Sequence, residues 1–138
     1  TFRMNKAEEK RQREECAELL HVLGLDDVRD ELATSLPYGE QRRVEIARAL
    51  ASEPSLLLLD EPAASLDAHS EQRVMQALTN ASTQQTTLMV THQLEGLANW
   101  DAIWVMQDGQ IVEQGSYSQL ATAGGPFATL LAHRQEKI

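Results

Sequence analysis

The sequence predicts an α/β fold in which a helical lobe is followed by a mainly parallel sheet with flanking helices. Three observations carry this. Up to about residue 53 the apolar residues recur at helical spacing. Two short β-type runs, Ser55–Asp60 and Thr86–Val90, bracket a helical stretch from Ala68 to Ala81, the order of a strand–helix–strand crossover with parallel pairing. Asp108-Gly109 then marks a hairpin turn between two further strands. The expected division is a helical part over 1–53 and a sheet-containing part over 54–138.

Residues 5–23 read as the first helix, with Asn5 as N-cap and Glu8 as the capping-box acid three places on. The charged stretch Glu8–Glu15 suits a solvated face, with Glu9/Arg13 and Lys10/Glu14 at four-residue spacing. Cys16, Leu19, Leu20 and Leu23 form the apolar stripe, which makes Cys16 a buried thiol, and Gly24 ends the helix. A short helical piece at Asp26–Leu32 and a turn at Thr34–Tyr38 lead to a second helix, Gly39–Ala51, with Val44, Ala47 and Leu50 on its buried face. Pro54 ends it. Ser55–Asp60, four leucines closing on an acid, reads as a strand buried on both faces. In the next helix Val74, Leu78 and Ala81 share one side. A short helix near Leu94–Ala98, strands at Ala102–Met106 and Gln110–Glu113, and helices at Tyr117–Ala121 and Pro126–Gln135 complete the chain.

The 138 residues carry 21 acidic and 12 basic side chains, a net charge of −9, which offers no general attraction to nucleic acid or anionic lipid. A single cysteine excludes an internal disulfide and suits a reducing compartment. No apolar run approaches the roughly 20 residues of a membrane helix. The start at Thr1, without an initiator methionine, suggests a piece of a longer protein.

The chemistry concentrates in Leu56-Leu57-Leu58-Leu59-Asp60-Glu61-Pro62. A strand that ends in adjacent carboxylates delivers them at the edge where α/β sheets bind ligands. Because successive side chains diverge, one acid can serve a magnesium ion on phosphate oxygens and the other an attacking water. Alone, the string equally suits solvated acids before a proline turn.

Its context decides more. Upstream stands Leu36-Pro37-Tyr38-Gly39-Glu40-Gln41-Arg42-Arg43; downstream stand Ala64-Ser65-Leu66-Asp67 and, after one strand, Thr91-His92. In this order and spacing the series resembles the signature motif, Walker B strand, D-loop and switch histidine of ABC transporter ATPases, over essentially the whole chain. The resemblance implies the C-terminal part of a P-loop NTPase domain that binds ATP and Mg2+. Asp60 would serve the metal, and Glu61 and His92 would be catalytic. Leu36, Pro37, Tyr38, Gly39 and Glu40 would contact ATP held by a second ABC ATPase domain in a head-to-tail dimer, with Ser65, Leu66 and Asp67 forming the D-loop. Gly39 suits its part because a glycine at a helix start bares N–H donors to an anion. Pro37 and Tyr38 stand where the family has Ser and Gly, so a serine hydroxyl contact is lacking. Asp67 is otherwise an ordinary N-cap, and His92 a surface residue. Arg42, Arg43 and Arg48 suit helix-face salt bridges. His21, His69 and His133 read as solvent-facing.

Residues 1–50 resemble the ATPases of branched-chain amino acid importers. From Leu56 onward, notably in Glu61–Met75 and Gly124–Gln135, the chain resembles the CydD-type subunits of CydDC glutathione/cysteine exporters. A chimera joined near the Walker B strand is the simplest account of both, and a divergent single lineage is the alternative. The exporter resemblance implies a heterodimeric partner, a transmembrane domain, the cytoplasmic face of the bacterial inner membrane, and a part in cytochrome bd assembly. An importer subunit and a non-catalytic module completing a partner's ATP site are the alternatives. Nucleic acid is not an expected partner.

No Gly-x-x-x-x-Gly-Lys-Ser/Thr run occurs, and the only lysines are Lys6, Lys10 and Lys137. The nest of N–H groups and the lysine that cradle phosphates are thus outside these residues, and the chain alone is expected to hydrolyse ATP negligibly.

Overall fold

A computed structural model describes residues 6–81, 85–94 and 96–135. The chain forms two compact units, Thr1–Thr91 and His92–Ile138. The first joins helices and strands across the boundary drawn at 53/54 from sequence, because they share one core.

In the first unit, α1 (Lys6–Val22) is solvated along its charged half, where Glu9–Arg13 (2.9 Å), Lys10–Glu14 (3.8 Å) and Arg11–Glu15 (3.7 Å) pair at four-residue spacing. The expected cap at Asn5 lies outside the described residues. Gly24 ends the helix at φ +65 in a Schellman arrangement: its N–H donates to His21 O (3.0 Å) and that of Leu25 to Leu20 O (2.8 Å). This turn drives Leu23 and Leu25 fully into the core. Cys16, expected buried, is exposed. Only the end of α1 meets the core, through Leu19, Leu20 and Val22, and Cys16 one turn earlier lines an open groove with Gln12, Arg13 and Arg29.

Two 3-10 turns (Asp26–Val28 and Ala33–Ser35) lead to α2 (Tyr38–Ala51). Its buried face is Arg43, Ile46, Ala47 and Leu50; Ala47 and Leu50 are buried as expected, Val44 packs half-buried on the core, and Arg43 and Ile46 widen the stripe. Strand β1 (Leu56–Asp60) pairs in parallel with β2 (Thr86–Val90), Leu57 opposite Thr87 and Asp60 opposite Val90. Helix α3 (Ala68–Ala81) lies between them in sequence and buries Val74, Ala77 and Leu78. Leu57 joins these residues and Ile46 and Leu50 in one cluster.

Among the described residues, strand β1 is covered on one face only. Leu56 and Leu58 are 60% and 67% exposed, and Leu88 and Val90 lie open beside them on β2. The core lies on the Leu57 side, and with a side-chain period of two the alternate leucines face away from it. An open apolar sheet face invites self-association. Leu58→Glu is therefore expected to keep the purified chain smaller in concentration-series light scattering, without lowering its melting temperature.

The second unit opens with a 3-10 turn (Leu97–Asn99) and an antiparallel hairpin, β3 (Ile103–Gln107) and β4 (Gln110–Gly115). Asp108 and Gly109 both take positive φ (50 and 77), as the expected two-residue turn requires. Helix α4 (Tyr117–Thr122) starts with a capping box between Ser116 and Gln119, and α5 (Pro126–Gln135) seats Phe127 edge-on to Tyr117 at 5.5 Å. Among the described residues no helix is long and apolar enough to cross a membrane.

Candidate functional site at the end of strand β1

Asp60 is the last residue of β1, on the open face with Leu56 and Leu58, and is exposed. Glu61 is half-buried, with Oε2 withdrawn from solvent, and takes φ 45. The two acids therefore sit in different surroundings, but not through strand alternation as expected, because Glu61 lies past the end of β1 in a left-handed conformation. Positive φ is uncommon outside glycine and is retained where neighbours enforce it. Here the Asp60–Glu61 peptide is held on both sides. Its N–H donates to Val90 O (2.9 Å), and its carbonyl accepts from Arg42 Nη2 of α2 (3.3 Å).

A compact turn follows. Pro62 and Ala63 are buried, Ala64 N–H donates to Glu61 O (3.1 Å), and Ser65 takes φ 63. Leu66 packs on the core and Asp67 starts α3. Asp67 Oδ1 accepts from the N–H groups of His69 (3.1 Å) and Ser70 (3.0 Å), and Oδ2 from the Ser70 hydroxyl (2.6 Å). The Ser70 hydroxyl, then the Ser70 N–H, hold the Asp67 carboxyl below its ordinary value, against a smaller opposing effect of burial. A lowered folded value stabilises the fold above the ordinary Asp range and ceases to do so as pH falls through it. Asp67→Ala should thus lower the melting temperature at pH 7, and the gap to the unaltered protein should narrow at pH 3.

Helix α2 begins without a capping side chain at Pro37, so its first amides carry no side-chain acceptor. Leu36 is buried and its carbonyl accepts from Gln41 Nε2 (2.7 Å); Tyr38 is 65% exposed. A Cβ at Gly39 would lie 3.6 Å from a Leu66 methyl, which places the helix start beside the turn after β1. Glu40, 3.8 Å from the Arg43 guanidinium, sets a carboxylate in the first turn, where it competes with any anion for the positive helix end. The first unit thus sets Gly39 against Leu66, and Arg42 of the same helix against the Asp60–Glu61 peptide. His92 is exposed, two residues past β2, in the second unit.

The arginines of α2 have specific tasks. Arg42 makes the expected helix-face bridge to Glu45 (2.9 Å) and also reaches Asp60. Arg43 makes the expected helix-face bridge, to Glu40 (3.8 Å), but does more than that. It is 9% exposed and donates to Leu23 O (2.7 Å) and Gly24 O (3.2 Å), closing the C-terminus of α1. Its place on the Arg43–Ile46–Ala47–Leu50 stripe was the available signal. The Arg73 guanidinium fills the space that a Cβ on Gly24 would need. His21 and His69 are exposed, though each is engaged, with Asp26 (3.0 Å) and Arg73 (2.9 Å) respectively; His133 is exposed.

Among the described residues no group of three or more His, Cys, Asp or Glu is placed to hold a metal. One exposed carboxylate at a strand end does fit magnesium bound the way nucleotide enzymes bind it, through one or two carboxylates with phosphates and water completing the shell.

Comparison with known proteins identifies the family. The ABC transporter family matches residues 1–64. The glutathione/L-cysteine transport system ATP-binding/permease protein CydD of Escherichia coli is 69% identical over 115 residues, 83% of this chain and 20% of that protein. The transport ATP-binding protein AarD of Providencia stuartii is 54% identical over 115 residues, again 83% and 20%. Among solved structures, a bacterial Atm1-family ABC exporter with ATP bound superposes with a TM-score of 0.73 at 29% identity, covering 88% of this chain and 23% of that one. The chain thus spans about a fifth of the length of these relatives. It belongs to the ABC transporter family, as part of an ATP-binding domain that resembles CydD.

Proposed function

We propose that this chain supplies the hydrolytic carboxylates and the signature helix of an ABC ATPase that powers export of glutathione and cysteine at the cytoplasmic face of the bacterial inner membrane. The observation that carries it is the doubly held Asp60–Glu61 peptide, bonded through Arg42 to the helix whose uncapped start bears Gly39. Asp60 holds the magnesium that accompanies ATP, and the ion supplies charge neutralisation on the phosphates. Glu61, drawn partly out of solvent, holds and deprotonates the attacking water. His92 donates a hydrogen bond to the γ-phosphate. Leu36, Pro37, Tyr38, Gly39 and Glu40 form the signature contact with ATP on a second ATPase domain, with Gly39 giving its backbone N–H, and Ser65, Leu66 and Asp67 form the D-loop between the two domains.

The cargo follows from the relatives. Besides CydD, the ATP-binding/permease protein CydC of the same Escherichia coli transport system is 42% identical over 109 residues, which makes a CydC-like subunit the natural second domain. A transmembrane domain completes the transporter.

The test is ATP binding by the purified chain, alone and mixed with an ABC ATPase domain that carries a P-loop. No binding by the chain alone, and tighter binding by the mixture than by the P-loop domain alone, with that gain lost on Gly39→Pro, is expected. Turnover near about 1 s⁻¹ by the chain alone, an ordinary enzyme rate, would show that the phosphate cradle need not come from elsewhere and would overturn the scheme.

A further inference from the structure

The Arg42 bond to Asp60 has no equivalent among the side-chain motifs. Its acceptor is the carbonyl of the one peptide that joins the two proposed site acids, and its donor stands on α2, a turn after Gly39. Four features make it a directed contact. The Arg42 side chain is 32% exposed, against 62% for its partner Glu45, although its bond to Asp60 lies open to solvent. Glu45 engages its Nη1 at 2.9 Å and leaves Nη2 for Asp60 O at 3.3 Å. The other side of the same peptide is fixed by Val90 O. And the residue that follows, Glu61, holds a positive φ that an unrestrained glutamate avoids. Rotation of this peptide would change ψ of Asp60 and φ of Glu61 together, and so move the Glu61 carboxylate.

We propose that Arg42 is a positioning residue: through the Asp60 carbonyl it ties the signature-bearing helix to the peptide that aims Glu61, so that the seating of α2 sets the direction of the candidate base. The proposal rests on the assignment of Asp60 and Glu61 to hydrolysis, but its first readout is of the backbone alone. A charge-assisted hydrogen bond of this kind is worth about a tenfold change in a local opening equilibrium.

The experiment is backbone NMR on the purified chain with Arg42→Met, which keeps an apolar stem of similar length, and Arg42→Lys, which keeps one cationic donor. The expected result for Arg42→Met is a shift of the Asp60 carbonyl carbon, movement of the Glu61 carbon shifts away from left-handed values, and Glu61 amide exchange faster by about tenfold, with the Leu57 and Leu78 amides unchanged. Arg42→Lys should restore most of this. In the assembled ATPase, Arg42→Met should lower kcat while leaving the KM for ATP in place.

Unchanged Asp60 and Glu61 signals in Arg42→Met overturn the proposal. A loss spread through the Leu57 and Leu78 amides, or failure of the chain to fold, overturns it too, because Arg42 is then a general support. Failure of the hydrolytic assignment looks different. The Glu61 signals would move with Arg42→Met, yet Glu61→Gln would hydrolyse ATP normally.

Discussion

Glu61→Gln, in a complete ABC ATPase assembled around this segment, is expected to cut ATP turnover by roughly 10²- to 10⁴-fold, the usual contribution of a positioned general base, while ATP still binds. The amide matches the carboxylate in size and leaves the Glu61 N–H bond to Val90 O in place. What it loses is basicity. A side chain half out of water, with one oxygen withdrawn from solvent, can hold a water and take its proton, and an amide can only hold it. The expected signature is therefore a fall in kcat with little change in the KM for ATP, the pattern of an interaction made in the transition state. Asp60→Asn separates the two acids. Its effect should be relieved in part by raised Mg2+, whereas added metal should not rescue Glu61→Gln. Equal turnover in Glu61→Gln and the unaltered assembly would remove Glu61 from the chemistry, whatever its backbone does.

Much of this site was legible because it is written in side-chain identities at fixed spacing. The acids after a leucine run, the glycine at a helix start and the aspartate before α3 are local features, and the structure places each where its neighbours in sequence require. Helix α3, strand β2 and helix α5 match the expected spans for the same reason: their periodicity and their breakers agree. What the sequence conceals is which neighbour covers a face. Four leucines in a row read as a strand covered on both sides, but periodicity cannot say that α2 and α3 both pack on the Leu57 side and leave Leu56 and Leu58 open. Cys16 fails likewise, since an apolar stripe gives the direction of a helix face and not how far along the helix the core extends. Arg43 and Arg42 were hidden for a different reason. Their acceptors are main-chain carbonyls, at Leu23, Gly24 and Asp60, and a carbonyl has no letter in the sequence.

Leu78→Ala tests whether the helices and the parallel strand pair share a single core, and it should be the most damaging truncation in the first unit. Leu78 is fully buried on α3, in one cluster with Leu23 and Leu25 beyond α1, Ile46 and Leu50 of α2 and Leu57 of β1. Removing three carbons there loses their transfer from water and leaves a cavity that four separate segments would have to close, so the cost should lie at the upper part of the roughly 2–5 kcal/mol range for such changes. Leu58→Ala supplies the contrast, because the same substitution at a side chain 67% exposed removes little buried area. It should stay within about 0.5 kcal/mol of the unaltered protein, as surface changes do. Urea unfolding, with midpoints compared at constant m, measures both. If the two variants lose similar stability, the inward and outward faces of the structure are misassigned. The register that sets Asp60 at the end of the open face would then fall with them.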